Sequence, residues 1–541
     1  MFKELREVGK TTIALHRIAY LIYNYEKEFK PEEFMIIAPN RFFLDYISNI
    51  LPDLGVNDVK QYTFEDFAYD VIGKKLKIPD NNEKLVMIVN NMIDGQYKEK
   101  IDIVLKESKF KSSIEFKKCI DKYLNEIEQK YIPEEDFEYN GYSIMSHKDI
   151  NELFLKTYGS YNFKSRISEI EKHLATEFRK KSKEIIENLQ NQRTKAIENL
   201  QGKERVQVFE HYTKEIEMVE KRYIKIIKGY FSKIRNMDCV DYYKDFLENY
   251  IMNYTFNNGL DDVLQYLKDA TLTNIKNNEF AYEDLAPLMY IQYKVFGIKD
   301  KCQIKHVVID EAQDYGEFQF DVLKSILKSN SMTILGDIAQ GVHSYRGIEN
   351  WKRFIDVEFK DVSVTYTTLQ KTYRTTKEIM EIANKVINNL PDYEKEFIVL
   401  GEPVIDRKNS IYCKQVEESS LIKNINERIK EHQNNGYKSI AIIGKDIKEC
   451  REIEKHISKI RDNVKLIQGK DSKYNAGISV VPSYLAKGLE FDCVIIANAN
   501  NERYGNNSLD IKLLYVAITR AMSKLDVFYT NTKSEILPER I

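Results

Sequence analysis

Short, fully apolar runs that alternate with helical stretches near both ends of the chain restrict the fold more than any other feature. Residues 34–38 (FMIIA) form one such run, and residues 307–309, 440–443 and 494–496 form others. Runs without regular polar alternation are typical of parallel strands buried on both faces. Further strand signals lie at 59–63, 332–335, 362–367 and 478–481, with helices expected at 11–30 and 42–51. The alternation predicts an α/β fold at both ends of the chain.

The middle of the chain is predicted to be helical. Between residues 82 and 285 strand patterns become rare, and charged helical patterns replace them. Residues 161–235 contain 18 Lys and Arg against 11 Asp and Glu. Apolar residues at helical spacing predict two long helices that form an antiparallel hairpin, turning near residues 201–202. This charged hairpin is either a solvated helical face or a surface for a partner.

Composition excludes several classes of protein. The 541 residues include 82 Lys and Arg and 84 Asp and Glu, a net charge of −2, so nucleic acid could be bound only through local patches. The six cysteines form no CxxC pair, which argues against a disulfide framework or a zinc site. Without a signal peptide or a run of 18 apolar residues, we expect a cytoplasmic monomer that does not bind membranes.

A short motif near the start has the composition of a phosphate-binding loop. Gly9, Lys10 and Thr11 open a predicted helix, whose backbone N–H groups would cradle phosphate oxygens. Lys10 would reach the β- and γ-phosphates, and the Thr11 hydroxyl would bind Mg²⁺. The full motif also has a glycine where Glu4 stands, and an apolar strand before the loop, which this chain lacks.

Two acids follow the apolar run at 307–309. Asp310 would hold Mg²⁺, and Glu311 would polarise an attacking water molecule. Gln340, after the next strand, would sense a γ-phosphate. His343 and Tyr345 follow it and could stack on a base, although Tyr345 alone reads equally as an ordinary core or surface aromatic.

Three later segments complete an ordered set: residues 369–374 (LQKTYR), 487–492 (KGLEFD) and 514–521 (LYVAITRA). In this order the motifs resemble those of the UvrD-like superfamily 1 helicases. That resemblance implies an α/β fold with two RecA-like P-loop NTPase domains, which bind ATP in the cleft between them. Residues 12–21, 38–48 and 51–55 also resemble the HelD family, which implies an ATP-driven motor that binds RNA polymerase and releases it from nucleic acid.

The resemblance assigns roles to residues of this chain. Those implied to bind ATP are Gly9, Lys10, Thr11, Thr12, Tyr373, Gly488 and Glu490. Those implied to bind Mg²⁺ are Thr11 and Asp310. Those implied to act in hydrolysis are Glu311, Gln340, Arg374 and Arg520, with both arginines clamping the γ-phosphate. Contacts with nucleic acid, expected to be DNA, are expected from Asn40, Thr63, Phe64, His343 and Tyr345.

The resemblance also predicts the domain organisation. The first RecA-like domain would comprise residues 1–85 and 286–360, interrupted by a large helical insertion at 86–285, and the second would comprise residues 361–541. Members of the family normally continue upstream, so we expect a truncated reading frame. The spacing of 113 positions between Arg374 and Lys487 leaves no room for the second-lobe insertion of UvrD-type enzymes.

Three functions follow from this reading. The first is a HelD-like motor, which the second-lobe spacing and the segment at 39–48 favour. The alternatives are a UvrD-type 3′–5′ DNA helicase and a non-catalytic remnant that only binds a partner, which the incomplete phosphate loop favours.

Overall fold

A computed structural model describes residues 10–25, 29–79, 82–94, 98–254, 260–298, 304–329, 331–360, 362–395, 398–468 and 477–540. The strands are β1 (Phe34–Ala38), β2 (Lys60–Thr63), β3 (Phe137–Tyr139), β4 (Tyr142–Met145), β5 (His306–Ile309), β6 (Met332–Ile334), β7 (Lys371–Thr376), β8 (Glu402–Ile405), β9 (Ile411–Gln415), β10 (Ser439–Gly444), β11 (Val464–Leu466), β12 (Gly477–Pro482), β13 (Phe491–Ile496) and β14 (Ala521–Tyr529). The first ten helices are α1 (Lys10–Asn24), α2 (Arg41–Asp53), α3 (Phe64–Ile72), α4 (Glu83–Asp94), α5 (Lys98–Lys111), α6 (Ile114–Gln129), α7 (His147–Glu152), α8 (Phe163–Ile197), α9 (Gly202–Lys221) and α10 (Tyr223–Phe231). The remaining ten are α11 (Cys239–Asn249), α12 (Asp261–Lys276), α13 (Leu285–Ile291), α14 (Glu317–Leu327), α15 (Trp351–Glu358), α16 (Lys377–Ile387), α17 (Asp392–Lys395), α18 (Glu418–Asn434), α19 (Ile447–Ile457) and α20 (Ser508–Thr519).

Four strands form the first sheet, in the order β2-β1-β5-β6 and all parallel. Ile37 on β1 lies opposite Ile309 on β5, which in turn lies opposite Ile334 on β6. Every residue of β1 and β5 is buried, because helices cover both faces of a parallel sheet. The predicted apolar strands at 34–38 and 307–309 are therefore confirmed.

Six strands form the second sheet, in the order β11-β12-β10-β13-β14-β9, again all parallel. Its central strand β10 is buried throughout, which confirms the strand predicted at 440–443. A separate parallel pair, β7 and β8, packs beside β14. The protein is a mixed α/β molecule with parallel sheets and many helices.

Helices fill most of the chain between β2 and β5. Within this segment α8 and α9 form the predicted antiparallel hairpin, in which Arg193 of α8 lies over the Phe209 ring of α9 at 4.8 Å. The next helix, α10, continues along α8, where Arg179 lies over the Tyr223 ring at 5.1 Å. The antiparallel β3–β4 hairpin packs against α8 and was not predicted. Among the helices described, none combines the length and apolarity that crossing a bilayer demands.

The structure differs from the sequence-based prediction at one strand and at the end of one helix. Residues 363–370 are exposed and belong to no strand, so the strand expected at 362–367 is wrong, and the ladder begins instead at Lys371. The alternating pattern of that stretch is one that an exposed chain can carry equally well. Helix α1 ends at Asn24, short of the expected residue 30. Leu85, Ile88 and Val89 of α4 join the apolar core that also holds the second sheet, so this helix packs with the later part of the chain.

Candidate active site

The turn after β5 carries the two predicted acids. The Asp310 N–H donates to the Ile37 carbonyl at 3.0 Å, which ties this turn to the end of β1. Asp310 Oδ1 accepts from the Glu311 N–H at 2.8 Å. Glu311 has φ of +50°, in the left-handed region that non-glycine residues seldom adopt. Such backbone strain is concentrated at functional sites, and here it sets the direction of the Glu311 side chain.

A chain of hydrogen bonds runs from Glu311 along the edge of the first sheet. The Gln313 amide Nε2 donates to Glu311 Oε2 at 2.6 Å, and its Oε1 accepts from the Asp337 N–H at 2.8 Å. Gln340 Nε2 then donates to Asp337 Oδ2 at 2.8 Å. The predicted base and the predicted γ-phosphate sensor are therefore connected through Gln313 and Asp337, neither of which was among the predicted site residues.

Arg520 joins this chain from the second sheet. It follows α20, and its guanidinium donates to Gln340 Oε1 at 2.9 Å and to the Val516 carbonyl at 3.1 Å. The side chain is only 1% exposed. Two residues that lie 180 positions apart in the sequence are thus in direct contact between the two sheets.

A second guanidinium lies nearby on β7. Arg374 pairs with Glu490 at 2.5 Å, and Tyr373 beside it is 46% exposed, which leaves its ring accessible. Burial, together with the charge of Arg374, lowers the pKa of Arg520 to about 10. The two close cations repel each other, and an anion bound beside them would relieve that repulsion. The surroundings of the two arginines therefore suit a polyanionic ligand such as a triphosphate.

Lys487 forms another connection between the sheets and was also missed. It lies in the loop before β13, with its Nζ 3.2 Å from Glu311 Oε2 and 2.5 Å from Asp314 Oδ2. Burial raises the pKa of Asp314, and Lys487 opposes that rise. Lys487 is the first residue of the motif at 487–492, which marked it as a residue of interest. The sequence pattern did not indicate which carboxylates it would contact.

The phosphate-loop residues can be placed only in part. Gly9 lies outside the described residues, and Lys10, Thr11 and Thr12 form the first turn of α1, with side chains that lie outside the description. Gly488 has φ of +80°, which makes a glycine necessary in that turn.

The residues expected to touch nucleic acid are mostly inside the protein. Asn40 is exposed and caps α2, while Thr63, Phe64, His343 and Tyr345 are buried. His343 Nδ1 lies 3.0 Å from the Tyr345 hydroxyl, and Tyr345 belongs to the core shared with the second sheet. In this conformation the rings of Phe64, His343 and Tyr345 cannot stack on a base, because other side chains cover them. Contact of Asn40 with nucleic acid stays a prediction.

The donor set fits the expected metal and nucleotide. Asp310 presents a carboxylate at the carboxyl end of a parallel strand, and Mg²⁺ prefers oxygen ligands. No cluster of three or more His, Cys, Asp or Glu side chains suited to a metal occurs in the described ranges. Mg²⁺ bound at Asp310 would therefore complete its shell with phosphate oxygens and water, as is usual for this ion.

Two helicase domain families match this chain, over ranges that include most of the motifs described above. A sequence profile of the UvrD/REP helicase N-terminal domain matches residues 8–356, and a profile of the UvrD-like helicase C-terminal domain matches residues 477–527. A "Probable DNA helicase II homolog" of Mycoplasma capricolum is 30% identical over 210 residues, 36% of this chain and 28% of the relative. A "Probable DNA helicase" of Mycoplasma pneumoniae is 24% identical over 281 residues, 48% of this chain and 50% of the relative.

Other similarities are shorter. An "ATP-dependent DNA helicase PcrA" of Staphylococcus aureus is 25% identical over 205 residues, 37% of this chain and 26% of the relative. The solved C-terminal domain of a "possible DNA helicase" from Lactobacillus plantarum is 27% identical, with a TM-score of 0.24, and the match covers 30% of this chain and 90% of that domain.

The chain spans between a quarter and a half of the length of these curated relatives. Their names are those of DNA helicases, and the comparisons do not support the narrower resemblance to HelD. The N-terminal profile alone covers more than half of the chain. On that match, together with the ordered motifs that meet between the two sheets, the chain belongs to the UvrD-like helicase family.

Proposed function

We propose that this chain is an ATP-driven DNA helicase of the UvrD type, with the nucleotide bound between two RecA-like lobes. The first lobe would be built on the sheet β2-β1-β5-β6, with the helices between β2 and β5 as its insertion, and the second on the six-stranded sheet. One observation carries the proposal: hydrogen bonds run without a break from Glu311 through Gln340 to Arg520.

The residues of this chain would divide the chemistry of phosphoryl transfer. Glu311 would orient the attacking water and accept its proton, while Gln340 would meet the γ-phosphate. Arg374 and Arg520 would offset the negative charge that develops on the transferred group. Tyr373, exposed on β7, would cover the adenine ring.

The cofactor roles follow from the same arrangement. Lys10 and Thr11 would bind the phosphates at the start of α1, and Asp310 with the Thr11 hydroxyl would hold Mg²⁺. When bound, Mg²⁺ supplies positive charge next to the phosphate oxygens. Because Gln340 and Arg520 come from different sheets, the lobes would close around the nucleotide and reopen after hydrolysis, which would drive movement along DNA.

ATP turnover and unwinding of a tailed DNA duplex by the purified chain test this proposal. Glu311→Gln should lower kcat by about 100-fold or more while nucleotide binding survives, because the amide cannot accept the proton. Glu427→Gln, an exposed position on α18, is the matched control and should keep wild-type turnover. Failure of the unmutated chain to hydrolyse ATP would contradict the proposal and favour the non-catalytic alternative.

A second candidate is a HelD-like motor that binds RNA polymerase, and the long hairpin α8–α9 favours it. Its 35-residue and 20-residue helices extend from the first-lobe insertion. Capture of core RNA polymerase by the full chain, with no unwinding of tailed duplex, would select this candidate over the DNA helicase. Unwinding without capture would exclude it.

A further inference from the structure

Gln313 occupies the centre of the candidate site, in the segment that directly follows the two acids, although no role was assigned to it from the sequence. It lies in the short helical turn Ala312–Asp314, and its side chain is completely buried. The amide uses both ends: Nε2 donates to Glu311 at 2.6 Å, and Oε1 accepts from the Asp337 N–H at 2.8 Å. A buried amide with a partner at each end is held in one orientation, because turning it over would break both hydrogen bonds.

Two glycines shape the space around this residue. A Cβ at Gly347 would lie 2.0 Å from the Gln313 carbonyl oxygen, and a Cβ at Gly336 would lie 2.8 Å from Gln313 Oε1. The Ile348 N–H also donates to the Gln313 carbonyl at 3.1 Å. The loops before and after Gln340 can therefore close on Gln313 only because both positions lack a side chain.

The bonds beyond Gln313 lead to the other lobe. Asp337 accepts from Gln340 Nε2 at 2.8 Å, which leaves Gln340 Oε1 facing the Arg520 guanidinium at 2.9 Å. Each amide must keep its orientation for the next bond to form. Gln313 therefore sets the orientation of Gln340 toward Arg520, and it does so through Asp337. The same Gln313 side chain also holds Glu311.

We propose that Gln313 is a positioning residue that fixes Glu311 and Gln340 relative to each other, so that the base and the γ-phosphate sensor act as one rigid unit. This inference rests on the proposed ATPase function. Rigid support of this kind matters because small errors in the position of catalytic groups cost large factors in rate.

Gln313→Met tests the inference, since methionine fills the same volume but makes neither hydrogen bond. We expect kcat for ATP to fall roughly 10- to 100-fold while KM and nucleotide affinity change less than about twofold, because the lost contacts support groups that act in the transition state. Equal loss of kcat and affinity would show general damage to the site and would overturn the inference.

A double-mutant cycle separates positioning from structural support. If Gln313 acts through Gln340, the variant with both Gln313→Met and Gln340→Ala should be no slower than the slower single variant. If the fold losses in kcat of the two single variants instead multiply in the double variant, the two residues act independently, which would contradict the inference. Gln319→Met is the matched control: Gln319 is also buried, but it bonds to the Gly316 N–H at 2.9 Å within its own turn, so kcat should not change.

The failures can be told apart. Absence of ATP turnover in the unmutated chain would defeat the proposed function, whereas normal wild-type turnover with an unaffected Gln313→Met variant would defeat only the present inference. Should Gln313→Met fail to fold, Gln313→Asn keeps an amide that is one methylene too short to reach both partners. It should show the same selective loss of kcat, and wild-type kcat in that variant would overturn the inference.

Discussion

At the scale of single residues, Arg520 shows how a buried cation is held ready for a charged ligand. Its guanidinium is bonded to Gln340, Val516 and Thr519, so its direction is fixed before any nucleotide binds. Lysine would retain the charge but not the planar set of donors. We expect Arg520→Lys to lower kcat for ATP by about 100-fold and to weaken nucleotide binding far less, as measured by steady-state kinetics and equilibrium titration.

Arg451 on α19 provides the comparison for this substitution. Its side chain is exposed and reaches only Gln468, at 3.5 Å, among the hydrogen bonds described for it. Arg451→Lys should leave both constants unchanged. Parallel losses of kcat and affinity in Arg520→Lys would show that Arg520 binds nucleotide generally and is not a clamp for the transition state.

A buried acid on a helix that packs against the second sheet gives a prediction for pH. Glu449 on α19 accepts from the Lys445 N–H at 2.7 Å and lies 3.2 Å from Arg503, yet burial raises its pKa to about 7. Because the folded protein holds this proton more tightly than the unfolded chain, stability falls as pH rises from about 4.5 to 7. The loss amounts to about 3 kcal/mol, and Glu449→Gln should avoid it.

Thermal unfolding at pH 5 and pH 8 measures this effect. Glu449→Gln should match the wild type at pH 5 and exceed its Tm at pH 8, while Glu452→Gln, exposed on the same helix, should follow the wild type at both. A Glu449→Gln variant that is less stable than the wild type at pH 8 would mean that the ion pair with Arg503 outweighs burial.

At the scale of secondary structure elements, the sequence predicts best where one interaction decides the outcome. The strands at 34–38 and 440–443 were predicted because their apolar runs have no alternative to burial. The strand β14 was missed, because Ser523, Lys524 and Asp526 interrupt its apolar pattern. Asp526 is buried there only because Arg428 and His432 of α18 pair with it, and such partners are distant in sequence.

The hairpin α8–α9 allows a prediction at this scale. Phe178 of α8 is completely buried, stacks on Tyr223 at 5.9 Å and meets the edge of Tyr139 at 5.8 Å. Phe178→Ala should destabilise the hairpin locally by about 3–5 kcal/mol, because the ring leaves a cavity between three elements. Hydrogen exchange of α8 and α10 amides should accelerate, whereas ATP turnover without DNA should remain unchanged.

Phe209, at 44% exposure under Arg193, is the control on the same hairpin. Phe209→Ala should accelerate exchange much less, since half of its surface already meets water. Similar exchange in both variants would contradict the packing argument, and a loss of basal ATP turnover in Phe178→Ala would show that the hairpin and the candidate site are coupled.

At the scale of the whole molecule, the ordered motifs predicted which residues belong together but not how the two sheets are joined. Gln340 contacts Arg520, and Arg374 pairs with Glu490, although the residues of each pair lie more than 100 positions apart in the sequence. Gln313 and Lys487 could not be predicted, since their partners depend on how the two sheets pack. Tyr345 is buried for the same reason: it follows the first sheet in the chain but lies in the apolar core that holds the second sheet.

The pair of Lys487 and Asp314 gives the final prediction, because it joins the sheets through largely buried charges. Lys487→Met would leave the Asp314 and Glu311 carboxylates facing each other, and loss of one partner of a buried pair typically costs about 3–5 kcal/mol. Asp314→Asn should lower the free energy of unfolding less, since Lys487 still pairs with Glu311. We therefore expect Lys487→Met to lower Tm more than Asp314→Asn does, and the double variant to recover part of that loss. Additive losses in scanning calorimetry would mean that the pair does not couple the sheets.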